Sequence, residues 1–194
     1  MQRFKIFTES IADIKFLKDY IEEVFKINLP SDYFTPLGGK TGYKKGGNIN
    51  ALIKKNIENE SETILIVDAD NDFSKNTNEV ALDFVEYNIP IHLFRFPNNT
   101  TDGNLEDIFS EIAVHKELMN CFLDYEKCVK AYPKKLNDSR IYSYLDMLLI
   151  ESFKDEHGKD LRKEKYRNYR NTEHWDLHNE FLNPLKVFLT PFFE

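Results

Sequence analysis

Apolar residues recur with two periods along this chain, and the two periods alternate. "RFKIFTE" (residues 3–9) switches between apolar and polar positions as a strand does, and it stops at a carboxylate. In residues 10–25, Ile14, Phe16, Leu17, Ile21, Val24 and Phe25 return at helical spacing. "SDYFTPLGG" (31–39) has room for a short second strand that runs into a glycine loop. In residues 48–59, Ile49, Leu52, Ile53 and Ile57 share one helical face, and Asn48 is placed to cap it. "ETILIVDAD" (62–70) has an uninterrupted apolar centre, which predicts a central parallel strand buried on both faces. Residues 78–88 return to the helical period, and "IPIHLFRFP" (89–97) reads as a fourth strand closed by proline.

Strands that alternate with helices imply βαβ units. The expected fold is therefore α/β, a four-stranded and mainly parallel sheet flanked by helices. After Pro97 a polar loop, "NNTTDGN", gives way to a largely helical pattern. The expected organisation is an α/β core over residues 1–110. Residues 111–194 form a helical C-terminal extension packed on that core rather than an independent domain.

Composition changes this picture only at the edges. The chain has 194 residues, with 41% hydrophobic and 30% charged positions, which suits a soluble globular protein with a real core. The formal net charge of −7 gives no global attraction for nucleic acid, so any such binding needs a local basic patch. Cys121 and Cys128, seven apart, suit one helical face and not a disulfide; they read as core residues in a reducing compartment. The chain enters its strand pattern at once, and no apolar run is long enough to span a bilayer. A cytoplasmic protein without membrane contact is expected.

The candidate chemistry lies at the carboxyl ends of the strands, where open α/β sheets bind ligands. Glu9 closes the first strand, and Asp13 follows one helical turn later. Asp68, Asp70 and Asp72 close the third strand. Glu106 and Asp107 follow the fourth. Crowded carboxylates repel unless cations sit between them, and an all-oxygen set suits Mg²⁺ or Mn²⁺. Taken singly, each has a plainer reading: Asp13 as an exposed helix residue, Glu106 as a charge that complements a helix N-terminus.

With these residues in view, the pattern resembles the TOPRIM domain of topoisomerases, bacterial primases, small maturation nucleases and OLD-type nucleases. "FTESIADIKFL" is similar to its first motif and "ILIVDADND" to its second. "FRFPNNTTDGNLEDIF" resembles a bacterial TOPRIM-like group of uncharacterised proteins, DUF3226. The resemblance runs from about Phe4 to Phe109 and, more weakly, over "EHWDLHNEFLNPLKVFL". Ser10 stands where the family usually has Gly. The resemblance implies that Glu9 is a metal ligand or general acid/base and that Asp68 and Asp70 hold Mg²⁺. Asp13 would help to bind a second ion, with Asp72, Glu106 and Asp107 as outer ligands.

"GGKTGYKKGG" ends like a phosphate-binding loop but lacks the required glycine five residues before Gly39, where Phe34 stands. It reads instead as a connection after the second strand. Lys40, Lys44 and Lys45 are then candidates to neutralise a substrate phosphate; the alternative is a solvated loop. "KDLRKEKYRNYRNTEHW" (159–175) interleaves basic and aromatic residues, a pattern that can track a nucleic-acid strand, against the plainer reading of a solvated helix with apolar anchors. His174 and His178 lack a third zinc ligand at a fixed spacing.

The function expected from all this is Mg²⁺- or Mn²⁺-dependent phosphodiester hydrolysis, a nuclease of TOPRIM type in defence or nucleic-acid processing. The alternatives are a non-catalytic module that binds metal, nucleotide or protein, and a small-molecule phosphohydrolase. The expected partners are DNA or RNA, with a homodimer or a partner protein as further candidates.

Overall fold

The computed structural model describes residues 4–39, 51, 53, 55, 56, 59, 61–75, 91–129, 139–149 and 153–194. Four strands form one all-parallel sheet: β1 (Phe4–Thr8), β2 (Phe34–Pro36), β3 (Glu62–Asp68) and β4 (Ile91–Phe96), in the spatial order β2-β1-β3-β4. Ile6 pairs with both Phe34 and Ile64, and Ile66 pairs with Phe94. The fold is α/β, as the alternating periods predict, with helices in the C-terminal region.

β3 is central because its side chains can be buried on both sides. Alternate residues of a strand face opposite ways. Ile64 and Ile66 join Phe4, Ile6, Phe94 and Phe96 in the larger core cluster. Leu65 and Val67 point the other way, to Phe7, Leu37 and Ile53. Thr63 to Val67 are all buried, so neither face of this strand meets water.

The larger cluster is covered first by α1 (Ile11–Phe25). Phe16, Leu17, Tyr20 and Ile21 form its buried face. Beyond β4 come α2 (Leu105–Ile112), α3 (Lys116–Val129), α4 (Ser139–Leu148) and α5 (Asn183–Phe193). The C-terminal region completes the same core rather than building another. Tyr169 stacks on Phe109 at a centroid distance of 4.8 Å and meets Phe16 edge-on at 5.6 Å. Trp175 packs against Phe109 and Tyr144. Buried polar atoms reinforce the join: the Tyr20 hydroxyl donates to the Leu182 carbonyl, and the Tyr169 N–H donates to Asp19 Oδ2 at 2.9 Å. Among the described residues, no helix is long and apolar enough to cross a membrane.

Two sequence expectations need correction. Cys121 and Cys128 are exposed, not core. α3 buries Met119 and packs Leu118 against the core, and the cysteines lie on its outer side. The basic run 159–175 is not a solvated helix. It is an irregular segment with one short 3-10 turn at Glu164–Tyr166, and Arg167, Tyr169 and Trp175 are buried within it. The buried aromatics pull the backbone onto the core, and helical periodicity gives way to that packing.

Candidate functional site

In a parallel sheet with this order, the chain leaves β1 toward one side and β3 toward the other. The crevice between their carboxyl ends is the natural place for a ligand. Glu9 and Asp68 stand at those two ends.

The turn out of β1 is tightly organised. Thr8 is fully buried, and its hydroxyl donates to the Ser10 carbonyl at 2.9 Å. Ser10 caps α1: its hydroxyl oxygen accepts from the N–H groups of Ala12 and Asp13, and the Asp13 carboxylate accepts the Ser10 N–H at 2.8 Å. This reciprocal capping box satisfies backbone donors that would otherwise be orphaned. Ser10 therefore has a local function as the cap of α1. Glu9 is 7% exposed and Asp13 6%, so Asp13 is not the exposed helix residue of the plainer reading. Burial pushes the Asp13 carboxyl up to about 6, against the lowering effect of its hydrogen bonds with Ser10, and the charge of Glu164 adds to the rise.

Asp68 is the centre of the cluster. Its carboxyl is pushed up to about 9, first by burial and then by the negative charges of Asp13, Glu9, Glu106 and Asp70. Asp68 Oδ1 accepts the Leu105 N–H at the start of α2, at 3.1 Å. Asp70 sits just past the strand in the left-handed region, with φ of 61°. Two backbone hydrogen bonds hold it there: its N–H donates to the Gly103 carbonyl at 2.8 Å, and its carbonyl accepts the Gly103 N–H at 2.6 Å. This turn ends the alternation of the strand and keeps the charge of Asp70 beside Asp68.

The remaining acidic candidates divide. Glu106, in the first turn of α2, acts on Asp68 through its charge. Asp107 is taken up in the capping box of Asn104, where it accepts the Asn104 N–H at 2.9 Å, and its other oxygen lies 3.8 Å from Arg140. Asp72 is exposed and accepts the Lys75 N–H at 2.9 Å, capping the short turn that follows. Its charge is not among those that raise Asp68. Lys40, Lys44 and Lys45 lie outside the described residues. The start of their loop is placed: Gly39, with φ of 97°, donates its N–H to the Glu9 carbonyl at 2.9 Å. A glycine suits that left-handed position, and the contact holds Gly39 against the backbone of Glu9.

No family model, curated protein or solved structure matches this chain.

Sequence reasoning missed Glu164. It reaches Asp13 from a segment 151 positions further along the chain, embedded in the basic run, and no local spacing signals it. Lys163 and Lys165, its neighbours, line one cleft with Glu9, Tyr142 and Gly39. His174 lies beside Asn171 and within reach of the charge of His115, while His178 pairs with Glu23 at 3.3 Å.

Glu9, Asp13, Asp68, Asp70 and Glu106 bring only oxygen donors. Their chemistry fits a hard divalent cation and disfavours a soft one. Among the described residues, no three His, Cys, Asp or Glu side chains already converge as a ligand cage.

Proposed function

We propose that this chain is a divalent-cation-dependent phosphodiesterase, a nuclease of TOPRIM type. One observation carries the reading: Asp68 is half-buried at the crevice of a parallel sheet among the charges of Asp13, Glu9, Glu106 and Asp70. A cluster so costly to ionise implies a cationic partner that offsets the repulsion.

Glu9, Asp68 and Asp70 would hold Mg²⁺ or Mn²⁺, with Asp13 and Glu106 in the adjoining positions. Such a cation, when bound, neutralises charge on a phosphodiester and activates water. Glu9 is then the group assigned to take the proton from the attacking water, a step that contributes about 10²–10⁴-fold where the base is well placed. The capping box keeps Asp13 in one rotamer beside the cluster. The reading carries with it a nucleic-acid substrate, a cytoplasmic setting, and assembly as a homodimer or with a partner protein.

The test is cleavage of a mixed panel of labelled DNA and RNA with Mg²⁺ or Mn²⁺, comparing wild type with Asp70→Ala. Metal-dependent cutting that drops to background in the variant is expected. A folded wild-type protein that cuts nothing on the panel overturns the nuclease and leaves a binding module. Release of phosphate from small esters alone would point to a phosphohydrolase.

A further inference from the structure

Glu9 of the carboxylate cluster lines a cleft between the turn out of β1 and the C-terminal region. That cleft has a volume of about 580 Å³, with Glu9 and Ser10 on one wall and Lys163, Lys165 and Tyr142 contributed by the C-terminal region. Its size lies in the range that encloses one small ligand, such as a single nucleotide. Ile11, 59% exposed although apolar, lines it as well. Tyr142 and Ile11 thus offer an apolar surface, while Lys163 and Lys165 offer two exposed cations on the same rim.

The rim is built. Arg162 donates to Asp160 from both Nε and Nη2 at 2.9 Å, and to Asp146 from Nη1 at 2.8 Å. Buried Arg167 donates to the Arg162 carbonyl at 2.6 Å and to the Tyr169 hydroxyl at 3.1 Å. Tyr169 is bound in turn to Asp19 of α1. Lys163 and Lys165 flank Glu164 at a short turn held between these anchors, and Lys165 Nζ lies 4.7 Å from the centre of the Tyr166 ring.

We propose that this cleft is a single-strand subsite. It takes one nucleotide of a DNA or RNA strand, stacks its base on Tyr142, and holds the flanking phosphates with Lys163 and Lys165. The inference rests on the phosphodiester reading above and names its substrate class. Three features lead to it. Glu9 lines the cleft and is only 7% exposed, so a phosphate brought to it has to enter the cleft rather than lie across the surface. A paired, stacked nucleotide cannot do so without leaving its duplex. An aromatic ring beside cations is the combination that binds single strands without sequence preference. The chain carries a net charge of −7, and Glu9 and Glu164 share the lining, so Lys163 and Lys165 are the two side chains there that can attract a phosphate.

The experiment measures binding apart from turnover. Fluorescence anisotropy is recorded on labelled oligothymidine and oligouridine of about twelve nucleotides, and on a hairpin duplex of similar length, in Ca²⁺ and at several salt concentrations. Wild type is expected to bind either single strand more tightly than the hairpin. The double substitution Lys163→Ala, Lys165→Ala should weaken single-strand binding at least tenfold and reduce the salt slope by about 1.4, the value for two phosphate contacts on a single strand. Tyr142→Leu should weaken binding about fivefold or more without changing that slope. Substituting the exposed Lys127 and Lys186 together should change neither quantity.

Tighter binding to the hairpin, no binding by wild type, or unchanged affinity and slope in the Lys163/Lys165 variant overturns the proposal. The two readings fail separately. Lysine-dependent single-strand binding by a protein that cuts nothing upholds the cleft and removes the nuclease. Cutting with affinity and slope unchanged in the lysine variant removes the cleft and keeps the nuclease.

Discussion

Asp68 shows how a single side chain carries a testable electrostatic cost. Its carboxyl titrates near 9 in the folded chain, against 3.8 as the ordinary value. A raised carboxyl favours folding while it is protonated, and that contribution is lost as pH rises through the folded value. The metal-free protein should therefore lose stability between about pH 4 and pH 9 from this group, with Asp13 contributing over the lower part of the range, up to about 6. Asp68→Asn keeps an oxygen for the Leu105 N–H and removes the charge. Its melting temperature without metal should exceed that of wild type at pH 8 and match it more closely at pH 5. Added Mg²⁺ should raise the wild-type melting temperature more at pH 8 than at pH 5, and should raise that of the variant less at either. Thermal melts at the two pH values, with chelator and with Mg²⁺, check both expectations. Equal melting temperatures for wild type and variant at pH 8 in chelator would remove the buried-repulsion account. The places of Glu9, Asp68 and Asp70 at the strand ends were legible because each ends or follows a strand whose apolar run identifies it. Glu164 was not, because only the folded chain brings it beside Asp13.

At the scale of elements, the site depends on how β3 stops. Asp70 takes a left-handed backbone and is pinned by Gly103, which itself has φ of 135°. A Cβ at Gly103 would lie 2.7 Å from Asp107 Oδ2 and 2.9 Å from Pro97 Cδ. Gly103→Ala thus combines a disfavoured φ with two clashes, and it strikes both the Asp70 bridge and the cap of α2. A loss of about 1–3 kcal/mol of stability is expected, read from urea unfolding, and on the proposed nuclease reading a loss of cleavage greater than the folded fraction explains. A variant as stable and as active as wild type would show that the Asp70–Gly103 bridge does not organise the site. The strands themselves were readable in outline. The uninterrupted "ILIV" of β3 has one explanation in a globular protein, burial on both faces, and the alternating helical segments make the sheet parallel. The run 159–175 misled because its polar residues suggested a solvated helix. Burial of Arg167 and Tyr169 is a tertiary event that no local pattern records.

At the scale of the molecule, the core is shared along the whole chain. Phe16 and Phe109 pack against Tyr169, and Tyr20 bonds to Leu182. Residues 1–110 alone would expose the partners of Tyr169, Trp175 and Leu185, each of which is at most 1% exposed in the folded chain. Fully burying a side chain of this size contributes about 1.5–3 kcal/mol, against a total stability of about 5–15 kcal/mol. A 1–110 fragment is expected to be unfolded or aggregated, as judged by circular dichroism and limited proteolysis. A monomeric fragment with a cooperative melt would instead make the C-terminal region a separable addition.

What the sequence by itself determined is the class of fold and the identity of the acidic residues at the sheet crevice. Both rest on local periodicity: a strand or helix declares itself within a few residues, and its end follows. What only the tertiary structure decided is the company those residues keep. The strand order that opens the crevice between β1 and β3 comes from long-range packing, as does the capture of the 159–175 segment by Tyr169 and Trp175. So does the placement of Lys163, Glu164 and Lys165 on the rim beside Glu9. Burial and charge interaction depend on distance through space, and a linear pattern carries no distance between residues 9 and 164.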